Sequence, residues 1–118
     1  LHDNKQTGDT GEGLAVAWLT KKGYTILERN WRNKRCEVDI IANKNNRLHI
    51  IEIKTRTSAV FGLPEEHINR SKMSCLKQAA LAYQATTNQW TYLQFDVLSI
   101  CLYPGQPVDY FLIEDVFF

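Results

Sequence analysis

Two carboxylates and an ammonium on neighbouring strands carry the strongest chemical signal in the sequence. The segments Glu37–Ala42 and Leu48–Thr55 are rich in Ile and Val and flank the polar run Asn43-Lys44-Asn45-Asn46-Arg47. That pattern predicts two strands joined by a hairpin with an Asn-based turn. A turn symmetric about Asn45 and Asn46 places Asp39 opposite Glu52 and Glu37 opposite Lys54, all four on one face. Directly opposed side chains have Cβ atoms about 4.5–5.5 Å apart, and like charges there are destabilising. A divalent cation bridging the two acids offsets this, because Mg2+ takes one or two carboxylates and keeps waters for a substrate phosphate. Lys54, two residues beyond Glu52 on the same face, adds a positive charge beside such an ion. The plainer reading is a strand-borne ion-pair cluster in which Lys54 neutralises Glu37 or Glu52. Ile50, Ile51 and Ile53 weigh against it, since they imply a buried strand, where charges are rare unless paired or ligating. A one-residue slip in register would send Asp39 and Glu52 to opposite faces.

The elements around this hairpin follow from periodicity. Asp9 and Glu12 have capping-box spacing ahead of Leu14, Ala15, Val16, Trp18 and Leu19, which predicts a helix over Thr10–Lys22 stopped by Gly23. Glu12 shares a helical stripe with Ala15, Val16 and Leu19, so it points along the packing face, although a capping glutamate needs no catalytic duty. Tyr24–Arg32 alternates as a first strand. Gly62 and Pro64 mark a loop, and Ile68, Lys72, Leu76, Ala79 and Tyr83 recur at helical spacing to about Thr86. Tyr92–Leu102 reads as a central strand, and Tyr103-Pro104-Gly105-Gln106-Pro107 turns the chain into a last apolar segment, Tyr110–Phe118. The order α-β-β-β-α-β predicts an α/β sandwich with helices covering a mixed sheet.

At 118 residues, with 44% apolar and 23% charged residues, the chain has the composition of one packed domain. The net charge of +1 conceals a division: residues 1–77 hold all 14 Lys and Arg against nine acids, whereas residues 78–118 hold four acids and no base. Between Lys21 and Arg56 ten basic residues face four acidic ones, a balance that attracts a polyanion. The longest apolar run, Leu14–Leu19, is far short of a membrane span, and the polar first ten residues predict no secretory signal. The three cysteines form no CxxC pair and are odd in number. They suggest neither a zinc ribbon nor a disulfide framework, and a cytoplasmic location is expected.

The ordered set Gly11-Glu12, Glu37-Val38-Asp39-Ile40-Ile41-Ala42, Ile51-Glu52-Ile53-Lys54-Thr55-Arg56, Gly62, Pro64, Lys72 and Phe95-Asp96-Val97 resembles the YraN family. These are small bacterial proteins assigned to the PD-(D/E)xK nuclease superfamily and similar to archaeal Holliday-junction resolvases. The resemblance runs from about Gly8 to Ile100. It implies a restriction-endonuclease-like three-layer sandwich, with 1–118 as a single nuclease-like domain and 1–7 as a flexible tail. Asp39 and Glu52 match the superfamily's metal-binding acids, Lys54 its catalytic lysine, and Glu12 the helix-borne acid that joins the metal site in resolvase-like members. Lys72 matches a family lysine opening the second long helix; Glu37 matches without a known role, and Cys36 stands where glycine is often found.

The implied activity is Mg2+-dependent hydrolysis of phosphodiester bonds in DNA, branched or structured forms included, with Mn2+ as a substitute. Arg32, Lys34, Arg35, Arg56 and Lys72 are the expected phosphate contacts, which give affinity without sequence choice. The alternative is a nucleic-acid-binding or partner-recruiting module on the same fold that hydrolyses nothing. Resolvase-like relatives imply a homodimer, although the aromatic-rich end (Tyr110, Phe111, Phe117, Phe118) reads first as a core strand. His2, His49 and His67 lack metal-ligand spacing and are expected in surface or structural roles. Asp96, between Phe95 and Val97, is expected to serve a structural partner rather than a metal, and Cys75 has no catalytic histidine signal.

Overall fold

Helix α1 (Asn4–Lys21) ends where Gly23 adopts a left-handed φ of 97°. The Tyr24 N–H donates to the Leu19 carbonyl at 3.0 Å and the Gly23 N–H to the Thr20 carbonyl at 3.1 Å, a pair of bonds that satisfies the final carbonyls of a helix. The computed structural model describes residues 4–57, 70–87 and 89–116. His2, Gly62, Pro64, His67, Ile68, Phe117 and Phe118 lie outside the described residues. The helix starts at Asn4 rather than Thr10, so Glu12 sits well beyond the first turn, where a capping box operates.

The chain then forms β1 (Thr25–Asn33), β2 (Cys36–Lys44) and β3 (Arg47–Arg56), crosses over through α2 (Arg70–Ala85), and returns as β4 (Tyr92–Cys101) and β5 (Asp109–Ile113). The sheet order is β1-β2-β3-β4-β5. Among the described strands only the β3–β4 pair is parallel, as expected where a helical crossover, not a hairpin, joins two strands. Asn45 and Asn46 have φ of 54° and 61°, the two consecutive left-handed residues of a type I′ turn, which Asn tolerates better than most residues. Lys44 pairs with Arg47, Ala42 with His49 and Ile40 with Ile51. This is the register expected from a turn centred on the two asparagines.

Each sheet face buries its own cluster. Ala15 and Leu19 of α1 pack with Ile40, Ala42, Ile51, Leu98 and Ile100. Met73, Leu76, Ala79 and Ala80 of α2 pack with Val38, Ile41, Leu48 and Ile50 on the other face. The result is a three-layer α/β sandwich over a mixed sheet, as the sequence predicts. Gly11 is what lets α1 lie against β3, because a Cβ there would overlap the Thr55 hydroxyl.

Two expectations are corrected. Cys36 at the start of β2 and Cys75 on α2 form a disulfide with Cα atoms 5.3 Å apart, leaving Cys101 free. The inference from cysteine spacing to a reducing compartment therefore loses its basis: the two partners lie 39 residues apart in the chain and only the packing of α2 on β2 brings them together. The last strand ends at Ile113, well before Phe118. Asp115 turns left-handed (φ 60°) and its N–H donates to Asp96 Oδ1 at 2.9 Å, which draws the chain out of the ladder. Among the described residues no helix is long and apolar enough to cross a membrane.

Candidate functional site

The β2–β3 ladder ends at Ile40–Ile51, and the next residues are Asp39 and Glu52. Alternation along β2 slips at this point. Ile40 faces α1, yet Cys36, an even number of residues away, is bonded to α2, and strict alternation would put both on one face. Asp39 occupies the slip. Its Oδ2 accepts the Ile53 N–H at 2.8 Å, so the carboxylate takes the place of a ladder carbonyl where the two strands part. Glu52, only 4% exposed, follows Leu48 and Ile50 on the α2 face.

The two acids lie close enough to share a proton. Burial, then the hydrogen bond and charge of Glu52, push the Asp39 carboxyl up to about 8, against the pull of the Ile53 N–H and the Lys72 ammonium. Two buried carboxylates cannot both ionise cheaply without added positive charge. Part of that charge comes from α2, where Lys72 Nζ lies 2.8 Å from Glu52 Oε2. Burial alone would lower the Lys72 pKa, but Glu52, with Asp39 and Glu37 beyond it, holds the ammonium above its ordinary value. The donor set suits a hard divalent cation: an acid pair that retains a proton for want of positive charge, beside backbone at the end of a ladder.

Glu12 is engaged on β1, where Arg29 Nη2 lies 2.8 Å from its Oε1 and Asn30 Nδ2 donates to Oε2 at 2.8 Å. Among the described residues no three Asp, Glu, His or Cys side chains are grouped to hold a metal. Lys54 is half-buried and makes no ion pair among the described residues; Lys72 holds the place beside Glu52 that sequence spacing gave to it. Arg32 is well exposed and lies 3.4 Å from Glu37, and Lys34 and Arg35 are exposed at the β1–β2 turn. Arg56 is only 9% exposed, so burial keeps most of its surface from solvent.

Sequence reasoning expected a structural partner for Asp96 and a surface or structural role for His49 without joining the two. His49 and Asp96 are both buried and joined at 2.8 Å through His49 Nδ1. Their positions on adjacent parallel strands, where His49 pairs with Gln94, were the signal that could have linked them.

Residues 11–100 match a family described as uncharacterised protein family UPF0102. The chain is 40% identical over 104 residues to a UPF0102 protein of Syntrophomonas wolfei, covering 87% of this chain and 90% of that one. A UPF0102 protein of Dictyoglomus thermophilum is 41% identical over 101 residues, with 85% and 86% covered. One from Caldicellulosiruptor bescii is 42% identical over 99 residues, with 81% and 82% covered.

Proposed function

The chain belongs to the uncharacterised protein family UPF0102, and from its paired acids we propose that it is a divalent-metal-dependent endonuclease acting on DNA. The observation that carries this reading is the placement of Asp39 and buried Glu52 side by side at the end of the β2–β3 ladder, with Asp39 held by the Ile53 N–H and Lys72 2.8 Å from Glu52. An acid pair placed in this way gains most from a bound cation. Asp39 and Glu52, with the Ile53 carbonyl, would hold Mg2+ or Mn2+. When bound, such an ion lowers the pKa of a water and offsets charge developing on the scissile phosphate.

The remaining steps belong to the chain's own groups. The Ile53 N–H fixes one Asp39 oxygen, so the carboxylate meets its partner in one orientation. Lys72 Nζ lies 2.8 Å from Glu52 Oε2, and Lys54, with no ion pair among the described residues, is the cation left to approach a phosphate oxygen and stabilise the charged transition state. Arg32, Lys34 and Arg35 at the β1–β2 turn would contact neighbouring phosphates and position the duplex.

A second reading, a nucleic-acid-binding module without hydrolysis, has one observation in its favour: both Glu12 oxygens are taken up by Arg29 and Asn30, so the third acid is already spent on architecture. One experiment separates the readings. Linear, nicked and four-way-junction DNA are incubated with the protein and Mg2+ or Mn2+, and with Glu52→Gln. Cutting that needs the metal and disappears in Glu52→Gln is expected. Binding of the same substrates with no metal-dependent, Glu52-dependent cutting would establish the module instead.

A further inference from the structure

At the opposite end of the hairpin, on the other face of β3, a second set of polar groups surrounds a cavity of about 330 Å3. Behind its lining residues His49 and Gln94 lies Asp96, whose side chain is fully buried. A carboxylate in that position is tolerable only if its oxygens are bonded. Oδ2 meets His49 Nδ1 at 2.8 Å, and Oδ1 accepts from Gln94 Nε2 and from the Asp115 N–H, both at 2.9 Å.

These bonds orient the groups above them. With its amide nitrogen committed to Asp96, Gln94 can only turn its oxygen the other way, where it accepts from Arg47 Nη1 at 2.9 Å. The Arg47 guanidinium also lies over the Tyr92 ring at 5.7 Å, and Lys44 Nζ lies over the Tyr24 ring at 4.7 Å. Neither Lys44 nor Arg47 makes an ion pair among the described residues. Tyr24 also lines the cavity; burial first, then the charges of Asp96 and Glu114, push its hydroxyl up to about 12, so it stays a neutral O–H that can donate. Two cations held in place by rings and an amide, one hydroxyl and one imidazole therefore converge on a polar space lined, among the described residues, by a single acid, Glu114.

We propose that this cavity is a binding site for a phosphate monoester, with Arg47 and Lys44 as the charged ligands and the Asp96-Gln94-His49 chain as the support that holds them. Arg47 presents a planar fork and Lys44 a point charge, the two usual ways of meeting phosphate oxygens. Glu114 accepts a hydroxyl of the attached ester and disfavours a second anion. The volume is at the lower end of small-molecule sites and admits one mononucleotide or one strand terminus. Glu52 lies three positions beyond His49 along β3, so the two lie on opposite faces, and this site does not depend on the acid pair.

Calorimetric titration with inorganic phosphate and with a 5′-mononucleotide tests the proposal. Saturable one-to-one binding is expected, weakened about ten- to hundredfold in Arg47→Gln and in Lys44→Gln, as for loss of a hydrogen bond to a charged group, and unchanged in Glu52→Gln. Arg47 is exposed, so its substitution leaves the core intact, and a matching thermal midpoint checks this. Matched oligonucleotides with and without a 5′-phosphate distinguish the sources. A preference for the phosphorylated strand that vanishes in Arg47→Gln assigns the site to a strand end, whereas tight mononucleotide binding without that preference assigns it to a free nucleotide; both support the site. Absence of saturation by every phosphate probe, or affinities untouched by both cation substitutions, overturns it.

Discussion

Asp39 carries its proton to about pH 8 in the folded protein but releases it near 4 when unfolded. Between those values the native state binds the extra proton, so stability is full below the unfolded pKa and is lost as pH rises toward 8, with a limiting slope of about 1.4 kcal/mol per pH unit. Urea unfolding of metal-free protein across pH 4–9 should show this decline, and Asp39→Asn should flatten it; an unchanged profile in the variant would place the proton elsewhere. Lys72 answers for Glu52 in the same way. Lys72→Met leaves a 4% exposed carboxylate without its nearest cation and should cost about 1–3 kcal/mol, discounted for the partial exposure of the ammonium. At this scale the sequence was partly transparent. The turn asparagines set the register as far as Ile40–Ile51, one step short of Asp39 and Glu52, but spacing along one strand could not reveal that a lysine from α2, rather than Lys54, would reach Glu52.

Element packing holds those residues where they act. Gly11 permits α1 to approach β3 at Thr55, and Gly11→Ala should destabilise by about 1–3 kcal/mol through overpacking. Thr55→Ala in the same chain should restore most of the loss, a coupling that a double-mutant cycle measures directly. The Cys36–Cys75 bridge joins β2 three residues before Asp39 to α2 three residues after Lys72. Its reduction should lower unfolding free energy by about 2–4 kcal/mol, and identical denaturation midpoints with and without dithiothreitol would show that packing alone secures the helix. The strands were legible because Ile and Val runs alternate around Asn, Gly and Pro punctuation. The bridge was not, since cysteine pairing depends on which helix face meets which strand, and three residues offer no pattern to choose from. The slip at Asp39 was hidden for a similar reason: alternation is a local rule, and the departure from it arises where two strands part.

The whole molecule is electrically lopsided, with every Lys and Arg in residues 1–77. Exposed Arg32, Lys34 and Arg35 gather at one hairpin turn. If these three meet phosphates, the logarithm of duplex affinity should fall with the logarithm of salt at a slope of about −3, and Arg32→Gln with Lys34→Gln and Arg35→Gln should bring that slope close to zero. A slope that persists in the triple variant would move the contact surface elsewhere on the sandwich. The layered architecture itself could be read from the order of elements, because a crossover helix between two strands and a second helix ahead of the meander leave one helix for each sheet face.

The bridge between Cys36 and Cys75 also makes the middle of the chain a closed covalent ring. A protease that cuts the backbone once anywhere inside that ring leaves a single molecule of unchanged mass apart from one added water. Its two pieces migrate separately on a gel only after a thiol has opened the ring, and until then both halves of the acid pair's surroundings stay tied to each other.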